Sequence, residues 1–365
     1  MSGEAMNEKD APGLSDAEVS GLLAEEVLAH FSGGKVENIE KMSGGASRET
    51  WSFDWLDDKG NSSGLILRRD PGNTGSSGEE GWRGGKTTYS LDRTTEAELQ
   101  RVVHEAGGLV ARVHFAIPKG HALGDCYVMD RIEGEVLAPR ILRDDAYADA
   151  RKTMAYQCGE ILAGLHAVDP ATLPTGMVQM PVESLIAYYR ELMDGISDYH
   201  RDETLVARPE YHPAFELTFR WLEQNCPKNA TAGLVHGDFR NGNFVVGPEG
   251  IRAVLDWELG HVGDGMEDLG WLCVRAWRFG QHQNPVGGFG QLDDLFAGYE
   301  NAGGRKVDPK VVHFWEVLGT LKWGIICMFQ AYKPISGLVD SFEHLAIGRR
   351  ACENEIDLLK LIEEK

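Results

Sequence analysis

Between two apolar runs, the stretch Leu234–Val246, LVHGDFRNGNFVV, gathers a His, an Asp, an Arg and two Asn. A plain connection needs only a turn, which Gly237 or Asn241-Gly242 would make. His236 stands two residues before Asp238, Asn243 five after it, and Asp256 eighteen after it. Two carboxylates and an amide oxygen are hard donors that suit Mg²⁺, with water and phosphate oxygens completing its shell. One carboxylate can instead take a proton from an attacking hydroxyl. His236 and Asp238 are also candidate ligands of a transition metal in a hydrolase, although no third nitrogen or sulfur ligand stands at a matching spacing.

These groups need elements to hold them. The strand patterns GLVH, FVVG and IRAVLDW bracket the loop and bring both carboxylates to one edge. Upstream, Ser15 and Glu18 make a capping-box match, and Val19, Leu22, Leu23, Val27, Leu28 and Phe31 follow at helical spacing. VENIEKM, TWSFDWL and GLILRRD read as strands, the first two flanking the Gly-rich turn SGGASRE. A Gly/Ser-rich insert runs from Pro71 to about Arg93, then a short helix from about Thr95 to Glu105, then two strands, LVARVHFA and CYVMDRI. From about Asp149 helical patterns dominate. Strands followed by helices predict an α+β chain of two lobes. The expected organisation is a tail over 1–13, a small antiparallel-sheet N-lobe over 14–135 and a larger, mainly helical C-lobe over 136–365.

Length fits two lobes, since 365 residues are long for one core. The formal charge of -21 argues against a nucleic-acid partner, which the average surface would repel. Six scattered cysteines without a C-x-x-C pair read as buried, reduced thiols of a cytoplasmic protein. The polar N-terminus has no signal-peptide pattern. Val311 to Tyr332 is apolar but carries His313, Glu316, Lys322 and Gln330, so it reads as a buried helix and not a membrane span. No membrane partner is expected, and nothing in the pattern specifies an oligomeric state.

The order H-x-D-x-x-x-x-N with a later Asp is the catalytic-loop spacing of phosphoryl-transfer enzymes. In detail the segment resembles the Brenner-type motif of the aminoglycoside phosphotransferase and choline kinase-like family. LDWELGHVGDGMEDLGWL is similar to that family's downstream block, in the branch related to acyl-CoA-dehydrogenase-associated kinase domains. The resemblance covers about Lys35 to Phe279 and implies a protein-kinase-like fold. It implies Asp238 as catalytic base, His236 as brace of the loop, and Arg240 near the transferring phosphoryl group. Asn243 and Asp256 would hold Mg²⁺ against the phosphates of ATP or GTP. Ser43, Gly44, Gly45, Ala46 and Ser47 match the family's glycine turn, where missing Cβ atoms let backbone N–H groups approach phosphates. Arg68 matches the basic residue of the third strand, and Glu98 its acidic helix partner, with Glu96 as rival. YVMDRIEGEVL resembles the hinge and places Met129, Asp130 and Ile132 near the adenine.

The resemblance therefore implies transfer of a γ-phosphate to a hydroxyl of a small molecule, hydroxyacyl-type or aminoglycoside-like. The alternative is a catalytically silent nucleotide-binding regulator of the same fold. Arg69 reads as a solvated neighbour of Arg68, Asp268 as the cap of the helix starting DLGWL, and Trp257, Trp271 and Trp277 as core. Arg275 is a weaker candidate for an acceptor's carboxylate or phosphate.

Overall fold

Ser15 opens the first helix as its spacing predicts: its hydroxyl accepts the Glu18 N–H, and Glu18 Oε2 accepts the Ser15 N–H at 2.7 Å. That helix, α1 (Asp16–Phe31), buries Val19, Leu23 and Val27. A computed structural model describes residues 14–42, 49–70, 89–200, 212–228 and 230–363.

Five strands form the sheet beneath α1: β1 (Lys35–Lys41), β2 (Glu49–Leu56), β3 (Ser62–Asp70), β4 (Val113–Ile117) and β5 (Asp125–Asp130). Their order is β1-β2-β3-β5-β4, with every neighbour antiparallel. Strand parity sorts β3 between two faces. Leu65 and Leu67 join Val19, Leu23, Phe53 and Val128 in one cluster. Ile66 turns the other way, packing with Met129 and with Ala97 of α2 (Arg93–Glu105). Arg68 shares the parity of Ile66, and Arg69 that of Leu67. Arg69 is therefore not the solvated neighbour its type suggests. It is 2% exposed, donating to the Leu123 carbonyl at 2.9 Å and pairing with Glu49 at 2.9 Å.

The helical half comprises α3 (Ala138–Arg143), α4 (Ala148–His166), α5 (Val182–His200), α6 (Pro213–Asn225), α7 (Met266–Cys273), α8 (Leu292–Asn301), α9 (Pro309–Ile335), α10 (Phe342–Gly348) and α11 (Ala351–Glu363). Asp308 caps α9 and Pro309 occupies its first turn, where no N–H is needed. Among the described residues α9 alone is long and apolar enough to cross a membrane, but 72% of its apolar window is buried, as a core helix requires.

Four short strands carry the loop of interest: β6 (Ala232–Val235), β7 (Phe244–Gly247), β8 (Gly250–Val254) and β9 (His261–Asp264). They make two ribbons, β6 with β9 and β7 with β8. The loop thus spans from one ribbon to the other, and Asp256 lies on the return path. Of the cysteines, Cys126, Cys158, Cys273 and Cys327 are buried free thiols as expected; Cys226 is half-buried and Cys352 exposed.

Candidate active site

Backbone geometry comes first, because it sets where Asp238 points. Gly237 has φ +79°, and a Cβ there would lie 2.4 Å from the Leu259 carbonyl oxygen, so only glycine fits. The His236 and Gly237 N–H groups both donate to Asp268, at 2.8 and 3.0 Å. Asp268 does not cap its own helix: α7 begins two residues earlier, and the buried carboxylate caps the loop instead. Burial works against its charge, but His166 and the loop N–H groups outweigh that and hold its pKa below the usual carboxylate range.

His236 is fully buried. Its Nδ1 accepts the Asp238 N–H at 3.1 Å, and its Nε2 donates to the Leu255 carbonyl at 3.1 Å. Burial lowers its pKa although Asp268, Asp238 and Asp256 pull the other way, so the ring stays neutral in one tautomer. Both ring nitrogens of His236 are thus committed to backbone hydrogen bonds, which leaves neither for a metal. The Leu255 N–H in turn donates to the Asn243 carbonyl at 2.8 Å, which ties the residue before Asp256 to the loop. Asp256 itself adopts a left-handed conformation, φ +68°, uncommon outside glycine.

The Asp238 carboxylate receives three donors. Trp271 Nε1 and Arg240 Nε reach Oδ1 at 2.8 and 3.0 Å, and Asn243 Nδ2 reaches Oδ2 at 2.6 Å. Arg240 also lies over the Trp277 ring, 4.4 Å from its centre. Trp271 is 2% exposed, as a core residue should be, yet it also serves the loop. With the Asn243 amide nitrogen turned to Asp238, its oxygen is the atom left for a hard cation. Asp256 adds a carboxylate, a donor set that fits Mg²⁺ completed by phosphate and water. Among the described residues no three His, Cys, Asp or Glu side chains form a self-sufficient metal site.

Arg68 joins the two halves. Its Nη2 lies 2.8 Å from Asp256 Oδ1, and its Nη1 3.5 Å from Glu96 Oε1. Glu96 is fully buried, also bonded by Arg93 and by the Tyr127 hydroxyl at 2.9 Å. Glu98 is exposed, so the expected Arg68–Glu98 pair is corrected to Arg68–Glu96. Helical phase is the reason, and the signal was in the sequence. Glu96 falls in line with Leu99 and Val103 on the buried face of α2, whereas Glu98 lies with Arg101 and Glu105.

Met129 and Asp130 end β5, and Ile132 follows; Met129 is buried beside Ile66, and Asp130 pairs with His114 at 2.7 Å. Ser43, Gly44, Gly45, Ala46 and Ser47 lie outside the described residues, as does most of the 71–93 insert. Arg275 pairs with Asp357 of α11 at 3.4 Å. Sequence reasoning missed Lys322, Glu267 and the role of Asp268. With Leu185, Tyr189, Trp271, Trp315, Leu318 and Gly319, Lys322 and Glu267 line a narrow recess next to the loop. The one available signal was a lysine in the middle of an apolar helix.

Comparison with known proteins bears on the family and the fold. A model of the phosphotransferase enzyme family matches residues 38–305. Acyl-CoA dehydrogenase family member 11 of Homo sapiens is 28% identical over 186 residues, covering 50% of this chain but only 22% of that much longer protein. A crystal structure from Ralstonia eutropha, assigned as an aminoglycoside phosphotransferase, superposes with a TM-score of 0.69 at 19% identity, covering 94% of this chain and 98% of that one. An aminoglycoside phosphotransferase in ternary complex with AMP-PNP and hygromycin B superposes with a TM-score of 0.57 at 13% identity, covering 93% and 97%. At these identities the two structures establish the shared two-lobed, protein-kinase-like architecture.

Proposed function

The chain belongs to the phosphotransferase enzyme family, and from that premise we propose that it moves the γ-phosphoryl group of ATP, or GTP, to a hydroxyl of a small molecule. One observation carries the assignment of Asp238 as base. A carboxylate offers about four lone-pair sites; Trp271 and Arg240 take two on Oδ1, and Asn243 takes one on Oδ2. The remaining site on Oδ2 is held in a fixed direction and suits an incoming hydroxyl, whose proton it would receive as the oxygen attacks phosphorus. Arg240, already oriented by Asp238 and Trp277, supplies positive charge beside the transferring group.

Nucleotide would sit between the five-stranded sheet and the loop at 236–243, against the hinge at Met129–Ile132. Arg68, held by Glu96, would meet phosphate oxygens. Asn243 and Asp256 would hold Mg²⁺, which supplies charge neutralisation for the triphosphate when bound. Arg68 then has to exchange its contact with Asp256 for one with the nucleotide. The recess beside the loop has mostly apolar walls and two buried charged groups, the Lys322 ammonium and the Glu267 carboxylate.

The test is MgATP-dependent transfer to a panel of hydroxylated acids, their thioesters and aminoglycosides, followed by mass spectrometry, for wild type and Asp238→Asn. The variant is expected to lose at least about 10³-fold in kcat with nucleotide affinity retained. Tight nucleotide binding with no transfer to any acceptor, water included, would sink the proposal in favour of a silent regulator.

A further inference from the structure

Lys322 is a buried charge that the scheme above does not use. It sits in the middle of α9, 2% exposed, in an otherwise apolar stretch. Burial lowers its pKa, but Tyr89, Glu267, Asp238 and Asp268 outweigh that and hold it above the usual lysine value, so the ammonium is retained. Glu267 looks like its natural counter-ion, yet that contact is 3.4 Å, and Glu267 also pairs with His261 at 3.2 Å. The shorter bond, 2.7 Å, runs from Lys322 Nζ to the carbonyl oxygen of Gly237. The same Nζ lies 4.4 Å from the centre of the Trp271 ring.

Those two contacts meet at Asp238. The Gly237 carbonyl and the Asp238 N–H belong to one peptide plane. Lys322 holds its oxygen, and His236 Nδ1 accepts its N–H at 3.1 Å. A plane gripped at both ends cannot rotate, and its orientation sets the direction of the Asp238 side chain. From the other side, Trp271 donates its indole N–H to Asp238 Oδ1. A cation over an indole face draws electron density toward itself and strengthens that N–H as a donor.

We infer that Lys322 is a positioning residue for the base, fixing Asp238 through the Gly237 carbonyl and through the Trp271 ring. The inference rests on the reading of Asp238 as base. A residue that served only as counter-ion to Glu267 would have no reason to make its closest contact with the loop.

The experiment compares wild type with Lys322→Met, Lys322→Arg and the charge-balanced double variant Lys322→Met/Glu267→Gln. MgATP alone is the probe, with water as acceptor, and AMP-PNP affinity is measured by calorimetry. Loss of the grip is expected to lower kcat about 10²-fold in both methionine variants, the cost of a misplaced reacting group, while AMP-PNP affinity stays within about threefold. Lys322→Arg should recover part of kcat. In NMR spectra the indole N–H resonance of Trp271, identified by its loss in Trp271→Phe, should move toward the position of an unbonded indole in Lys322→Met and return in Lys322→Arg. A kcat within about threefold of wild type in either methionine variant overturns the inference, as does an unmoved Trp271 resonance. Should Lys322→Met fail to fold, the double variant and Lys322→Arg decide the matter. Should wild type hydrolyse no MgATP and transfer to no acceptor, the proposed function falls, while the indole resonance still judges the contact of Lys322 with the loop.

Discussion

Asp268→Asn is the sharpest probe of how the loop is held. The substitution keeps volume and shape but replaces one carboxylate oxygen with an NH₂ group. In the native site the two oxygens accept the His236 and Gly237 N–H groups at 2.8 and 3.0 Å, with His166 Nε2 at 3.3 Å. Asparagine can satisfy one of these backbone donors and must leave the other facing its own NH₂. An unpaired buried N–H costs about 1–3 kcal/mol, and the surviving bond loses its charge assistance, about 1 kcal/mol more. The expected destabilisation is therefore about 2–4 kcal/mol. For a chain of 365 residues the unfolding entropy is about 0.8 kcal/mol per degree, so Tm should fall by about 3–5 °C. Because the folded pKa of Asp268 is lowered, its contribution is present above the unfolded value, about 4, and is lost as pH falls through the folded one. The variant should thus show a shallower loss of stability on that acid limb. Catalysis should suffer more than stability, with kcat down about 10²-fold as the 236–238 backbone loosens and nucleotide affinity within about threefold. Scanning calorimetry across pH and MgATP turnover measure all of this. A Tm within about 1 °C, together with kcat within about threefold of wild type, would refute the idea that this carboxylate shapes the loop.

Glu96→Gln should weaken nucleotide binding at least about tenfold by releasing Arg68, whereas Glu98→Gln should leave it unchanged; calorimetry with AMP-PNP distinguishes them. Nitrogen-15 NMR should find His236, protonated on Nε2 when neutral, gaining its second proton below the usual histidine range, since burial lowers its pKa. His261 should keep its proton above that range, because Glu267 raises its pKa against the opposing effect of burial. Their linkages run in opposite senses. The contribution of His236 is present above about pH 6.5 and fades below it, and that of His261 is present below about 6.5 and fades as pH rises through its folded value. A thiol reagent should modify Cys352 and then Cys226 in the native protein. Cys126 and Cys327, whose pKa values burial pushes up to about 12, should react only on unfolding, as should Cys158 and Cys273.

Local chemistry was legible without coordinates wherever spacing is short. The capping box at Ser15, the alternation in β3 and the His236–Asp238–Asn243 interval each lie within a few residues, where bond geometry alone restricts what the chain can do. Asp256 was readable too, because it follows one ribbon later. Tertiary structure decided what depends on contacts across the chain. Parity in β3 buried Arg69 because Glu49 and the Leu123 carbonyl stood opposite it. Helical phase in α2 gave Glu96 to Arg68, a relation that needs the strand and helix packed face to face. Asp268 and Lys322 reach the loop from 31 and 85 residues away. No periodicity records such distances, because a hydrogen bond is sensitive to space to within a few tenths of an ångström and indifferent to separation along the chain.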